Sequence, residues 1–402
     1  MRRILKRFTG LLCVLALCLS MLPMSALAAE DAPSNQPTTL LSDDNVAKIE
    51  ENEYPTLDEA VNAAEDGATI ELLADATTKG WNLTKSLTIT SAPDLAEKPT
   101  VTFEKDGIAL WGKTLTFKGI DVVMNGVGST PYGEWTWMTI CASKDAVLAL
   151  DNVNMTMDAT GSTGSPHAIY FCSNNKLNLT NGSVLTIKNY PNDALEWDGG
   201  DGGYNVNITN STFISDHNRS GFTGTFYATI TNSKVDVVNS LGNGSNGSHF
   251  IIEDSEVNFN NNGSHGLSAG ELSIDNSTVN TKNNNGMGIT VNNAFTVENG
   301  SIVTVTGNAG NSSYGYAAVR LYNDYPFTVD STSELYIEDN NNTGLYVRQG
   351  NLTVEDGAVL KITGNKVSHS LLDSYGGGIY VGYGNNCLLY TSPSPRDQRG
   401  SR

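Results

Sequence analysis

The chain has 402 residues and a formal charge of −19, a balance that repels nucleic acid and anionic lipid and excludes both as partners. Apolar residues make up 39% and glycine fills 40 positions, which is too apolar for disorder and suits turn-rich β structure around a narrow core. Five cysteines, two of them in the first 18 residues, cannot supply a disulfide framework.

In chain order, Arg2, Arg3, Lys6 and Arg7 precede an apolar run from Phe8 to Met24, and Ala26-Leu27-Ala28 follows it. This predicts a secretory signal peptide over 1–28 and therefore export to the cell surface or cell wall. The run is broken by Pro23, and no later stretch has the apolar length of a transmembrane segment. A polar linker follows over 29–45. Residues 46–75 read as a strand-helix-strand cap. Thr56 with Glu59 forms a capping box, and Leu57, Ala60, Val61 and Ala64 fall on one face of a short helix.

Over 76–386 one phrase recurs: two alternating apolar residues, an Asn, Asp or Gly turn, then a second alternating pair. It begins at Leu115, Leu148, Leu177, Val206, Ala228, Ile251, Leu272, Phe295, Phe327 and Leu352, with spacings between 21 and 33 residues. A drifting period of strands without helices predicts an all-β parallel solenoid. Each coil is too small to bury its inward side chains alone, and stacking at about 4.8 Å supplies the missing neighbour. The shared step in Asn210-Ser211, Asn232-Ser233 and Asn276-Ser277 marks a corner that tolerates left-handed dihedrals. A third strand, as in Gly288-Ile-Thr-Val291, gives three faces per coil. An antiparallel sandwich would instead place hairpin dipeptides between its strands and carry no fixed phrase.

The pattern breaks after Asn386. Residues 387–397 resemble the conceptual translation of a transposase sequencing adapter, and 387–402 read as a non-native tail. On that reading the coil stops at Asn386, and wall-anchoring or other domains are expected in a missing C-terminal region.

The repeated phrase resembles the pectate-lyase-like right-handed parallel β-helix superfamily, and Tyr54 to Leu73 is similar to the N-terminal cap of adhesin-like β-helix surface proteins of Gram-positive bacteria. The resemblance implies a right-handed parallel β-helix with a short capping helix. It leaves activity open, because lyases, hydrolases and non-enzymatic adhesins share the fold. Lyases of this group hold calcium on carboxylates beside an Arg or Lys base. Asp193, Asp198 and Asp201, one repeat before Arg219, are the candidate calcium ligands, against a reading as solvated turn charges. The signatures of galacturonase-type hydrolases are absent, and His265 in Gly263-Ser-His265-Gly266 reads as a turn histidine.

Aligning Trp137–Cys141 with Ala168–Cys172 and Ala194–Asp198 turns Met138, Ile140, Ile169, Phe171, Leu195 and Trp197 inward by period-two alternation. Trp137, Tyr170 and Glu196 then share an outer face with Tyr132 and Trp135, a candidate surface for glycan or host polysaccharide. The same alignment sets Cys141 beside Cys172, as a disulfide or as two stacked thiols. The expected function is a non-enzymatic adhesin or glycan-binding scaffold that requires no cofactor. The alternatives are a polysaccharide lyase or glycoside hydrolase acting on acidic glycans, and a structural stalk.

Overall fold

The computed structural model describes residues 45–130, 137–197, 203–308, 317–366, 378–381 and 387–389. The predicted signal peptide and almost all of the linker lie outside the described residues. Apart from one helix, Leu57–Ala63, the regular structure described is strand, and no described helix is long and apolar enough to cross a membrane.

The fold is a parallel β-helix. Along its first face, Leu115, Leu148, Leu177, Val206, Ala228, Phe250, Leu272, Phe295, Phe327 and Leu352 stand opposite one another in successive parallel strands. None is more than 1% exposed. Burying a side chain of this size contributes roughly 1.5–3 kcal/mol, and stacking repeats that gain once per coil. The second face carries twelve parallel strands among the described residues, from Ala76–Thr78 to Val359–Thr363. The third face includes Met138–Ser143, His167–Phe171 and Leu195–Trp197.

Two corners are held by side-chain ladders. At the first, Asn210, Asn232, Asp254 and Asn276 have φ of 49°, 47°, 51° and 43°, the left-handed region the Asx-Ser steps predict. The serine after each forms a ladder: Ser211 N–H donates to Ser233 Oγ, Ser233 N–H to Ser255 Oγ and Ser255 N–H to Ser277 Oγ, each at 3.0 Å. At the second corner, Asn262, Asn284, Asn308, Asn340 and Asn365 form an internal ladder in which each Nδ2 donates to the next Oδ1 at 2.8–3.0 Å. These contacts satisfy backbone groups that the turn would otherwise bury unpaired.

The cap differs slightly from its sequence reading. Ala47–Ile49 and Asn52–Tyr54 form an antiparallel hairpin before the helix, and Ala47–Ile49 also pairs antiparallel with Ala68–Leu72. Thr56 Oγ1 accepts from Glu59 N–H at 3.2 Å, as the capping box requires. Leu57, Ala60 and Val61 are buried. Lys85 Nζ donates to Ala64 O at 2.6 Å, closing the helix C-terminus.

Two expectations are corrected. In the run Phe250-Ile251-Ile252 the inward residues are Phe250 and Ile252, whereas Ile251 is 44% exposed. Three consecutive apolar residues leave the period-two phase undecided, and the ladder from Ala228 to Leu272 fixes it. The coil also does not stop at Asn386, because Cys387–Leu389 pairs in parallel with Leu352–Val354. An open parallel edge accepts any short extended segment that reaches it.

Candidate functional site

The described residues converge chemically on the third face, at His167–Phe171 and Leu195–Trp197. Ile169 stands opposite Leu195, Tyr170 opposite Glu196 and Phe171 opposite Trp197, as the sequence alignment expects. Extending that register two residues toward the N-terminus sets His167 beside Asp193. Backbone bonds hold both segments: His167 N–H donates to Trp137 O at 2.9 Å, Ala168 N–H to Asp193 O at 3.1 Å and Ala194 N–H to Ser220 O at 2.9 Å.

Three donor atoms meet there. His167 Nδ1, a carboxylate oxygen of Asp193 and one of Glu196 lie within 4.8 Å of one another. His167 Nδ1 abuts Glu196 Oε2 and lies 3.9 Å from Asp193 Oδ2. Side-chain exposure is 10% for His167, 4% for Asp193 and 21% for Glu196. Apart from the ion-pair contact between His167 and Glu196, His167 Nδ1, Asp193 Oδ1 and Glu196 Oε2 are buried atoms with no hydrogen-bond partner among the described residues. Burial, and then the charge of Glu196, pushes the Asp193 carboxyl above its usual range; Ser220, His167 and Arg219 pull the other way without prevailing.

Aromatic rings wall this cluster. Trp137 meets Tyr170 edge-on at 4.7 Å and His167 at 5.6 Å, and His167 meets Tyr170 at 5.8 Å. Tyr170 packs with Met138 and Cys141 in a small cluster separate from the main core. It therefore points outward by alternation as expected, but it is only 2% exposed and offers no open ring face. Trp137 keeps 38% of its surface open. Trp197 is half-buried against the main core, while Met138 belongs to the outer cluster instead of lining the interior.

The alignment of Trp137–Cys141 with Ala168–Cys172 is corrected by two residues, because Cys141 stands opposite Tyr170. The slip preserves inward and outward parity, which is why it left no trace in the apolar pattern. Cys141 and Cys172 are free thiols. Hydrogen bonding to Cys172, then burial, pushes the Cys141 thiol far above its ordinary range.

Of the expected calcium carboxylates, Asp193 faces His167 and Glu196, whereas Asp198 and Asp201 lie outside the described residues, as do Tyr132 and Trp135. Arg219 is exposed and acts on Asp193 only through its charge. His265 is a turn histidine whose Nδ1 accepts from Met287 N–H at 3.0 Å. The residue that sequence reasoning passed over is His167. A shallow groove of about 530 Å³ at the first corner, lined by residues such as Asn210, Lys234, Asp254 and Asn276, has its amides already engaged, Asn232 Nδ2 donating to Asn210 Oδ1 and Asn276 Nδ2 to Asp254 Oδ1. It reads as a solvated corner.

No family model and no curated protein matches the chain. Among solved structures, a crystal structure of a mutant of the periplasmic alginate epimerase AlgG is similar at 10% identity, covering 80% of this chain and 86% of that one with a TM-score of 0.26. So low a score leaves the fold assignment resting on the parallel register of the strands themselves.

Proposed function

We propose that the protein is an exported cell-surface β-helix scaffold that binds glycan without cleaving it, attached to the cell wall through a region beyond this chain. The observation that carries the reading is Trp137, a 38% exposed indole held edge-on against His167 and Tyr170. A sugar stacks its apolar C–H face on such a ring, and the partly open Glu196 carboxylate beside it accepts a hydroxyl. The binding role of Tyr170 becomes support of the indole from beneath. His167 and Asp193 show at most a tenth of their side chains to solvent, which favours binding over turnover.

A second reading, an enzyme acting on acidic glycans, draws on the His167, Asp193 and Glu196 cluster itself, since a buried acid held above its usual range beside an imidazole suits proton transfer. Binding to a glycan array and release of unsaturated uronide, measured together, separate the two. We expect Trp137→Ala to weaken glycan binding about five-fold, the equivalent of about 1 kcal/mol for one stacked ring, Tyr170→Phe to leave it unchanged, and no uronide to appear. Uronide release abolished by Glu196→Gln would establish the enzyme.

A further inference from the structure

We propose that His167, Asp193 and Glu196 form a mixed nitrogen and oxygen site for one divalent transition-metal ion, with zinc as the probe. Three ligand atoms within 4.8 Å have the spacing of groups that share one ion. His167 Nδ1, Asp193 Oδ1 and Glu196 Oε2 are buried atoms with no hydrogen-bond partner among the described residues, and their only close polar contact is with one another. That is a costly state for polar side chains, relieved when they share a ligand. Charge balance points the same way. Even a protonated His167 offsets only one of the two carboxylates, and Arg219, the other cation acting on Asp193, is exposed. A divalent cation offsets both and takes the neutral imidazole as its third ligand.

The donor set selects the class of ion. Calcium favours six to eight oxygens in a loose shell, whereas imidazole with carboxylates suits zinc and its first-row neighbours. The supporting shell is also in place. Trp137 and Tyr170, in contact with each other, pack edge-on against one side of the imidazole and restrict its plane, the kind of orientation that ligating side chains require. The site does not depend on the glycan reading.

The test is calorimetric titration of the full chain, first stripped with a chelator, with zinc and separately with calcium, alongside cobalt absorption spectra. The expected result is one zinc per chain, a rise in melting temperature with zinc and none with calcium, and cobalt bands of a low-symmetry site. Asp193→Asn and His167→Gln should each weaken zinc binding at least ten-fold while circular dichroism stays that of the parent. His249→Gln, which alters the half-buried pair with Glu271 away from this cluster, should leave zinc binding unchanged. Should a cluster variant fail to fold, the other variant and the cobalt spectrum of the parent still decide. Zinc binding that survives in a folded Asp193→Asn chain, a calcium response equal to that of zinc, or no binding heat and no cobalt bands would overturn the proposal.

Discussion

Asp158 shows how a single carboxylate ties one coil to the next. Burial alone would raise its pKa, but Asn189 Nδ2 at 2.9 Å, Thr160 Oγ1 at 2.7 Å, Thr160 N–H at 2.9 Å and Lys188 Nζ at 3.2 Å outweigh it, and the group is held at about 2. A depressed carboxylate contributes stability that is complete above its unfolded value near 4 and lost as pH falls through about 2. Asp158→Ala should therefore cost about 1 kcal/mol at pH 7, and the difference from the parent should shrink as melts are repeated from pH 4 down to pH 2. A penalty that stays constant over that range would mean that the donors do not favour the ionised form. The same scale explains what was missed at the candidate site. Asp193 and Glu196 stand out in sequence as acids in a short run, but His167 becomes their neighbour only through a register 26 residues long (His167 to Asp193), and coil length drifts too much to read that directly. The Ile169 to Leu195 alignment, which was legible, contained the signal two residues upstream.

At the scale of elements, the corners do as much as the strands. Asn284 accepts from the Asn262 backbone N–H at 2.9 Å and side chain at 2.9 Å, and it donates to Phe259 O at 2.8 Å. Asn284→Ala would leave these groups buried and unpaired, at about 1–3 kcal/mol for each orphaned group, so it should lower stability by several times as much as Asn285→Ala next to it, whose side chain is exposed. Chemical denaturation of the two variants gives the comparison. At the other end of the chain, Thr56→Ala should cost about 1 kcal/mol through loss of the helix cap, visible as a lower denaturation midpoint with an unchanged slope. The corners were legible because only Asn, Asp and Gly accept their dihedrals readily; strand phase was not legible at Ile251, where the side chains on both faces are apolar.

For the whole molecule, parallel stacking was legible from repetition itself, since no single coil contains enough apolar surface to stand alone. Between Thr209 and Thr278 the coils have equal lengths: Asn210 to Asn232, Ser233 to Ser255 and Asp254 to Asn276 each span 22 residues. Removing residues 234–255 would join Ser233 to Glu256 and bring Phe213 opposite Val257, with both ladders closed again. That deletion should fold and melt within a few degrees of the parent. Removing residues 234–254, one fewer, should collapse it, because an odd shift turns every inward side chain to solvent. Circular dichroism melts of the two deletions decide between these outcomes. A gene that encodes such a stretch can gain or lose a whole coil in frame without disturbing the register on either side. Length along the axis then becomes a heritable variable that changes in whole steps, and selection can set how far the protein extends without redesigning any part of its core.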